Sequence, residues 1–224
     1  MKRLIILFAF AISSTFVQGQ DPTFTQFFSN PIYLNPALAG SSGCPRFAMN
    51  YRNEWPHLTG NYVTYSAAYD TYAKSISGGI GILAMHDKQG QGTISTSMLG
   101  AIYSYNLKVN RKFSLMFGAR AAWFQKFLDW DKLTFGDMID PRRGFIYQTG
   151  DVRRGDGRRG FFDASAGFVG FGKNFYFGGA VHHLNQPDES MILGESKLPM
   201  RFTGHAGADI PSVSYTHLTL PTKA

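Results

Sequence analysis

Between Pro141 and Gly160 the chain carries Arg142, Arg143, Arg153, Arg154, Arg158 and Arg159 against Asp151 and Asp156. A guanidinium offers a planar fork of donors that fits a carboxylate or a phosphate in bidentate fashion. Read for chemistry, the segment is a docking surface for an acidic partner or for lipopolysaccharide. Charge runs also occur simply as solvated, flexible loops, and the sequence leaves both readings open.

Two other motifs invite chemistry and fail its requirements. The spacing Gly167-xxxx-Gly172-Lys173-Asn174 approaches a phosphate loop. However, Asn174 stands where a Ser or Thr would hold Mg²⁺, and the glycines alternate with Phe168 and Phe171 as in a strand. His182 and His183 are neighbours, and neighbours on a strand face opposite ways. One His is therefore expected in a lumen and the other at a rim, with no second ligand at i+2 for a metal. No nucleophile elbow, paired metal-ligand motif or carboxylate constellation is readable. The chain is not expected to be an enzyme, and no cofactor or metal is expected.

What must position these residues is a set of strands. From Pro45 onward the period is two. Phe47, Met49 and Tyr51 alternate with Ala48, Asn50 and Arg52. Val63, Tyr65, Ala67 and Tyr69 alternate with Thr64, Ser66, Ala68 and Asp70. Similar series run through 80–84, 99–107 and 113–123, with further strands near 161–172, 174–184 and 200–210. Alternation argues strand over helix, and each stretch is near the roughly 9–11 residues of a tilted membrane strand. Gly is 25 of 224 residues, Phe 20 and Tyr 11, and charged residues make up only 17%. That texture suits a wall with apolar side chains outward and small or polar ones inward. The connections 72–77, 108–111 and 172–174 are short and carry Lys, whereas 86–93, 128–160 and 185–199 are longer. Short turns at one end and long loops at the other are the pattern of an outer-membrane barrel, with the short turns periplasmic. The expected fold is thus all-β: a transmembrane antiparallel β-barrel of outer-membrane type with about eight strands visible over 45–211. A passive porin-like channel and a barrel enzyme are the rival functions for such a fold.

Before the strands comes a different texture. Phe24, Phe27, Phe28, Ile32, Tyr33 and Leu34 crowd the segment 20–44. They are too apolar to stay exposed. Asn35 before Pro36 is a helix-start signal, with Gly40 as its stop. Phe27, Phe28, Tyr33, Leu34, Asn35 and Pro36 are accordingly expected to form a plug folded against the periplasmic mouth or into the lumen.

The two ends complete the reading. Lys2 and Arg3, the apolar run Leu4 to Ile12 and the small-residue stretch ending at Gly19 make residues 1–19 a signal peptide cleaved before Gln20. The apolar run is too short to cross a bilayer as a helix. Formal charge is +7, but export makes nucleic acid an unexpected partner. Cys44, the single cysteine, has no intrachain disulfide partner. Ser212 to Ala224 breaks the Gly/aromatic texture and is expected to be foreign to the natural protein.

Gln26-Phe27 with Asn30-Pro31-Ile32-Tyr33-Leu34-Asn35-Pro36-Ala37-Leu38-Ala39-Gly40, directly after a signal peptide, resembles the start of the PorP/SprF family. Arg52-Asn53-Glu54-Trp55-Pro56 resembles that family's first hairpin, and Val181 to Pro187 with Leu198-Pro199 resembles its middle region. The resemblance spans residues 20 to about 210. It implies an outer-membrane barrel of Bacteroidetes associated with the type IX secretion system and, in some members, with gliding adhesins. It implies as partners other secretion components, secreted cargo or adhesin proteins, and outer-membrane lipid. The family's chains run longer, so the resemblance also implies strands beyond this sequence.

Overall fold

The computed structural model describes residues 21–58, 60–90, 92–150, 155–191 and 194–209. The expected signal peptide and foreign tail lie outside them, as do Arg153 and Arg154.

Eight strands form one antiparallel sheet whose hydrogen-bonded order follows the sequence apart from one inserted hairpin. They are β1 (Arg46–Glu54), β2 (Tyr62–Ala73), β3 (Gly78–Gln89), β4 (Ile94–Asn110), β5 (Phe113–Leu128), β8 (Arg158–Phe171), β9 (Phe175–His182) and β10 (Arg201–Ala208). The sheet curls into a half-barrel with β1 and β10 at its two edges. Between β5 and β8 a small hairpin, β6 (Ile139–Asp140) with β7 (Gly144–Phe145), stands apart. Among the described residues no helix is long and apolar enough to cross a membrane.

The period-two series fall on the expected faces. In β2, Thr64, Ser66, Ala68 and Asp70 are buried on the concave side while Tyr65 and Tyr69 are exposed. In β5, Met116, Arg120, Ala122 and Phe124 point inward and Phe117 and Trp123 outward. The outer face through the middle of the sheet is apolar, with Ile80, Ile82, Leu99, Tyr103, Phe162 and Phe168 exposed there. An apolar exterior around a polar, filled interior inverts the pattern of a water-soluble sheet and is the solution a bilayer demands.

Two expectations about length are corrected. β4 and β5 run 17 and 16 residues, longer than a membrane crossing needs, because their pairing continues from Ile94↔Leu128 down to Asn110↔Phe113. The connection read as a long loop at 86–93 is short, since β3 continues to Gln89 and β4 starts at Ile94. The end-to-end asymmetry persists. Turns 74–77, 111–112 and 172–174 close one end, while the connections 129–157 and 183–200 extend from the other.

Candidate functional site in the barrel lumen

The leader fills the concave face of the sheet. Asp21 and Pro22 line a cavity with Gln89, Thr96 and Glu189, at the long-loop end. From there the chain descends to Gly40, which abuts Thr71, Tyr72 and Gly79 at the short-turn end, and β1 then starts back up. Two Asn-Pro pairs shape the descent. Pro31 opens α1 (Pro31–Leu34) after Asn30, and Pro36 opens a 3-10 turn ending at Leu38. Proline suits a first helical position because its fixed φ is already helical and its missing N–H is not needed there. Asn35 caps the second turn, its Oδ1 accepting from the Ala37 N–H at 2.9 Å. Gly40 ends it with φ +70, a left-handed conformation that glycine adopts without penalty. The sequence foresaw the second turn; the first, built on the same Asn-Pro logic, it did not assign.

Leader and wall are joined at each level. Ile32 and Tyr33 pack with Ala68, Leu83, Met98 and Phe124, and Ala37 with Met116 and Val169. Burying an Ile side chain fully stabilises by about 1.5–3 kcal/mol, and Ile32 is 1% exposed. Asn30 Nδ2 donates to Ser66 Oγ at 2.8 Å. Asn35 Nδ2 donates to the carbonyls of Phe168 and Gly179 at 3.0 and 3.1 Å, tying the leader to β8 and β9 together. Ser104 Oγ donates to the Ala39 carbonyl at 2.6 Å, and the Gly40 N–H donates to Asp70 Oδ2 at 2.8 Å. Strand glycines make room: a Cβ on Gly79 would overlap the Ala39 carbonyl, one on Gly118 the backbone of Ala37, and one on Gly167 the Asn35 side chain.

Phe27 and Phe28 correct the expectation that every leader aromatic is buried. They are 55% and 68% exposed, packed edge to face on each other at 5.7 Å. They sit on a turn (Phe27–Ser29) that has no buried residue, one turn before the chain meets the wall at Asn30. Tyr33, Asn35 and Pro36 are buried and Leu34 is half-buried.

The histidine expectation is also corrected. Both His182 and His183 are buried, at 0% and 2%. β9 ends at His182, and His183 takes a left-handed φ of +58, which breaks the alternation and turns its ring inward. There it joins a buried ionic cluster that no motif announced. His183 Nδ1 lies 2.8 Å from Asp163 Oδ1, and its Nε2 lies 2.9 Å from Asp21 Oδ2. Arg120 contacts Asp163 at 3.1 Å and donates to Ser165 Oγ at 2.9 Å. Arg201 contacts Asp21 at 2.7 Å and lies over the Tyr33 ring. Burial opposes the charge on His183, but its hydrogen bonds to Asp163 and Asp21 outweigh it and raise its pKa to about 9. Burial likewise opposes ionisation of Asp21, yet His183 and Arg201 hold its pKa at about 2. Neither residue lies in a strand. The cluster is an electrostatic latch between the leader and three strands.

Among the described residues, the arginines of the long connection do not form one patch. Arg142 and Arg143 are exposed in the turn of the β6–β7 hairpin, where Asp140 Oδ1 accepts both of their backbone N–H groups. Arg158 lies over the Phe127 ring, and Arg159 pairs with Asp188 at 2.9 Å. Gly167 stands inside β8 and Gly172 to Asn174 form a hairpin turn, so no phosphate loop exists there.

An antiparallel half-barrel with an apolar exterior and a lumen filled by its own leader defines a membrane β-barrel protein. Residues 16–221 match the model of the family described as type IX secretion system membrane protein PorP/SprF. The chain belongs to this family. Neither a curated protein nor a solved structure matches it.

Proposed function

We propose that this protein is exported by its signal peptide to the outer membrane. There it works by protein contact, docking or anchoring cargo or adhesin proteins for the type IX secretion system, and not by letting solutes through. The observation that carries this reading is the leader in the lumen. A barrel whose interior is occupied from Asp21 to Gly40 has little room to conduct, so its working surfaces are its ends. At the long-loop end, Arg142 and Arg143 on the β6–β7 hairpin offer forks to acidic partners, and Arg153 and Arg154 lie in the same connection. On the leader, Phe27 and Phe28 are exposed large aromatics of the kind that serve as anchors in protein contacts.

Planar-bilayer recording and affinity purification of the same protein test the proposal together. The expected result is a silent wild-type barrel that conducts once residues 21–40 are deleted and that co-purifies secretion components from native membranes. A wild-type barrel that conducts as an open pore and retains no secretion component would establish the porin reading instead.

A further inference from the structure

We propose that the short-turn end of the barrel is a binding surface for anionic phospholipid, with Lys74, Lys108, Arg111, Lys112 and Lys173 engaging headgroup phosphates of the leaflet it faces. The inference rests on the outer-membrane reading above. All five side chains are exposed. None is paired with a carboxylate among the described residues, where Asp209 is the one exposed acidic residue at this end, its N–H donating to the Asn174 carbonyl. The opposite end is different in kind. There Lys126 pairs with Glu189, Lys132 with Asp129, Arg159 with Asp188 and Lys197 with Glu195. Several cations at the long-loop end are thus neutralised locally, the hairpin arginines Arg142 and Arg143 standing apart, while all five at the short-turn end await an external anion.

Lipid fits better than an acidic protein for two reasons. The cations sit in the turns β2–β3, β4–β5 and β8–β9 or, for Lys108, near the end of β4 that leads into its turn, and these turns follow one another along the sheet order. They are therefore strung along an arc that tracks the membrane boundary and are not gathered in one patch. Two of the three groups also have an exposed apolar residue two positions away, Ile76 from Lys74 and Phe175 from Lys173, and exposed Leu107 and Val109 line the outer face of β4 that leads into the third turn. An apolar side chain below and an ammonium at the tip is the arrangement that snorkels into a headgroup layer. Cations near an anionic leaflet are each attracted appreciably.

The test uses the mature chain in vesicles of phosphatidylethanolamine and phosphatidylglycerol, with co-retained lipid counted by native mass spectrometry. Expected is an enrichment of phosphatidylglycerol of at least about fivefold, the factor one engaged cation supplies. It should fall to bulk composition in high salt and when all five residues become Gln, and persist when the four lysines become Arg. The Arg142→Gln/Arg143→Gln variant should keep it. Bulk composition around a wild-type barrel that shows heat-modifiable migration would overturn the proposal while leaving the barrel reading intact. So would enrichment that survives the Gln changes, or tight binding of soluble polyglutamate without lipid selectivity, which would assign the surface to an acidic protein. Failure of the wild-type chain to enter the bilayer at all would overturn the barrel reading and this proposal with it.

Discussion

The Asp21 carboxylate lies 2.9 Å from Nε2 of His183, although 162 positions separate the two residues in the chain. One contact thus ties the start of the leader to the end of β9. Asp163 on the other side of the imidazole extends the tie into β8. Removing one partner from a buried ion pair costs about 3–5 kcal/mol, because the other charge is left uncompensated. Asp21→Ala is therefore expected to free the upper leader. Limited proteolysis should then cut between Phe27 and Leu34 in the variant and spare the wild type. Equal protection of the two would remove the latch.

The latch should respond to pH in a defined window. His183 titrates at about 9 in the folded protein against 6.5 ordinarily. Its contribution is full below 6.5 and fades as pH rises through 9. Asp21 titrates at about 2 against 3.8 ordinarily, so its contribution is full above 3.8 and fades as pH falls through 2. Asp21 and Asp163 face the imidazole, Arg201 and Arg120 sit on the far sides of those carboxylates, and His182 precedes it in the chain. The midpoint of heat-modifiable migration should be highest between these limits and decline from pH 6.5 towards 9. His183→Gln should flatten the alkaline decline, and a slope that persists in that variant would place the titration elsewhere.

Gly118 tests the fit of leader to wall without touching a charge. Gly118→Val puts a branched side chain where the Ala37 backbone runs, while valine itself suits a strand. The strand should persist and the leader should leave. Conductance in planar bilayers, expected to be absent in the wild type, should appear. A folded but silent Gly118→Val barrel would mean that the leader is not what closes the lumen.

Asn35→Ala removes a turn cap and both carbonyl contacts made by Nδ2 in one step. A buried acceptor stripped of its donor costs about 1–3 kcal/mol, and a lost cap typically costs about 1 kcal/mol. The expected outcome is a lower heat-modification midpoint with unchanged strand content by circular dichroism. Asn35→Asp keeps the cap but turns a carboxylate oxygen towards the two carbonyls in a buried site, so it should lower the midpoint at least as far as Asn35→Ala. An unchanged midpoint in Asn35→Ala would show the amide to be dispensable.

The arginines separate by environment. Arg142→Ala/Arg143→Ala should reduce retention of secretion components by at least about fivefold, as losing roughly 1 kcal/mol of binding would, and leave the heat-modification midpoint alone. Arg159→Ala, which loses its contact with Asp188, should shift the midpoint slightly, within the 0–1 kcal/mol of an exposed pair. Retention that follows Arg159 and ignores the hairpin would relocate the docking surface.

The strands were legible because a period of two encodes position and face at once, as in Thr64 to Asp70 or Leu115 to Trp123. Asn35 and Pro36 were legible because capping chemistry is local. The ionic cluster was not, since Asp21, Arg120, Asp163, His183 and Arg201 come from widely separated parts of the chain. One signal was present: Arg120 falls in an inward-facing series, and a lumenal Arg needs an acid on a neighbouring strand. Register supplies it, with Ser165 opposite Arg120 and Asp163 two residues away. The inward turn of His183 depends on a backbone angle that a strand pattern cannot encode. Exposure of Phe27 and Phe28 was missed because apolarity says that a side chain seeks cover, not whether the wall reaches it.

The leader's bonds from Asn35 reach Phe168 and Gly179, 133 and 144 positions away. Such contacts form only after most of the chain has been committed, and closing loops of that length makes folding slow. Yet the leader is synthesised first and lies innermost. A sheet that closed before the leader was in place would have to reopen to admit it. The leader is therefore expected to act as a mandrel, with strands laid down around it in sequence order and β8 and β9 locking it only at the end. Time-resolved protection from protease should appear first at β2–β5 and last at residues 30–40. A barrel supplied with its leader as a separate peptide should fold faster when the peptide is present from the start than when it is added afterwards.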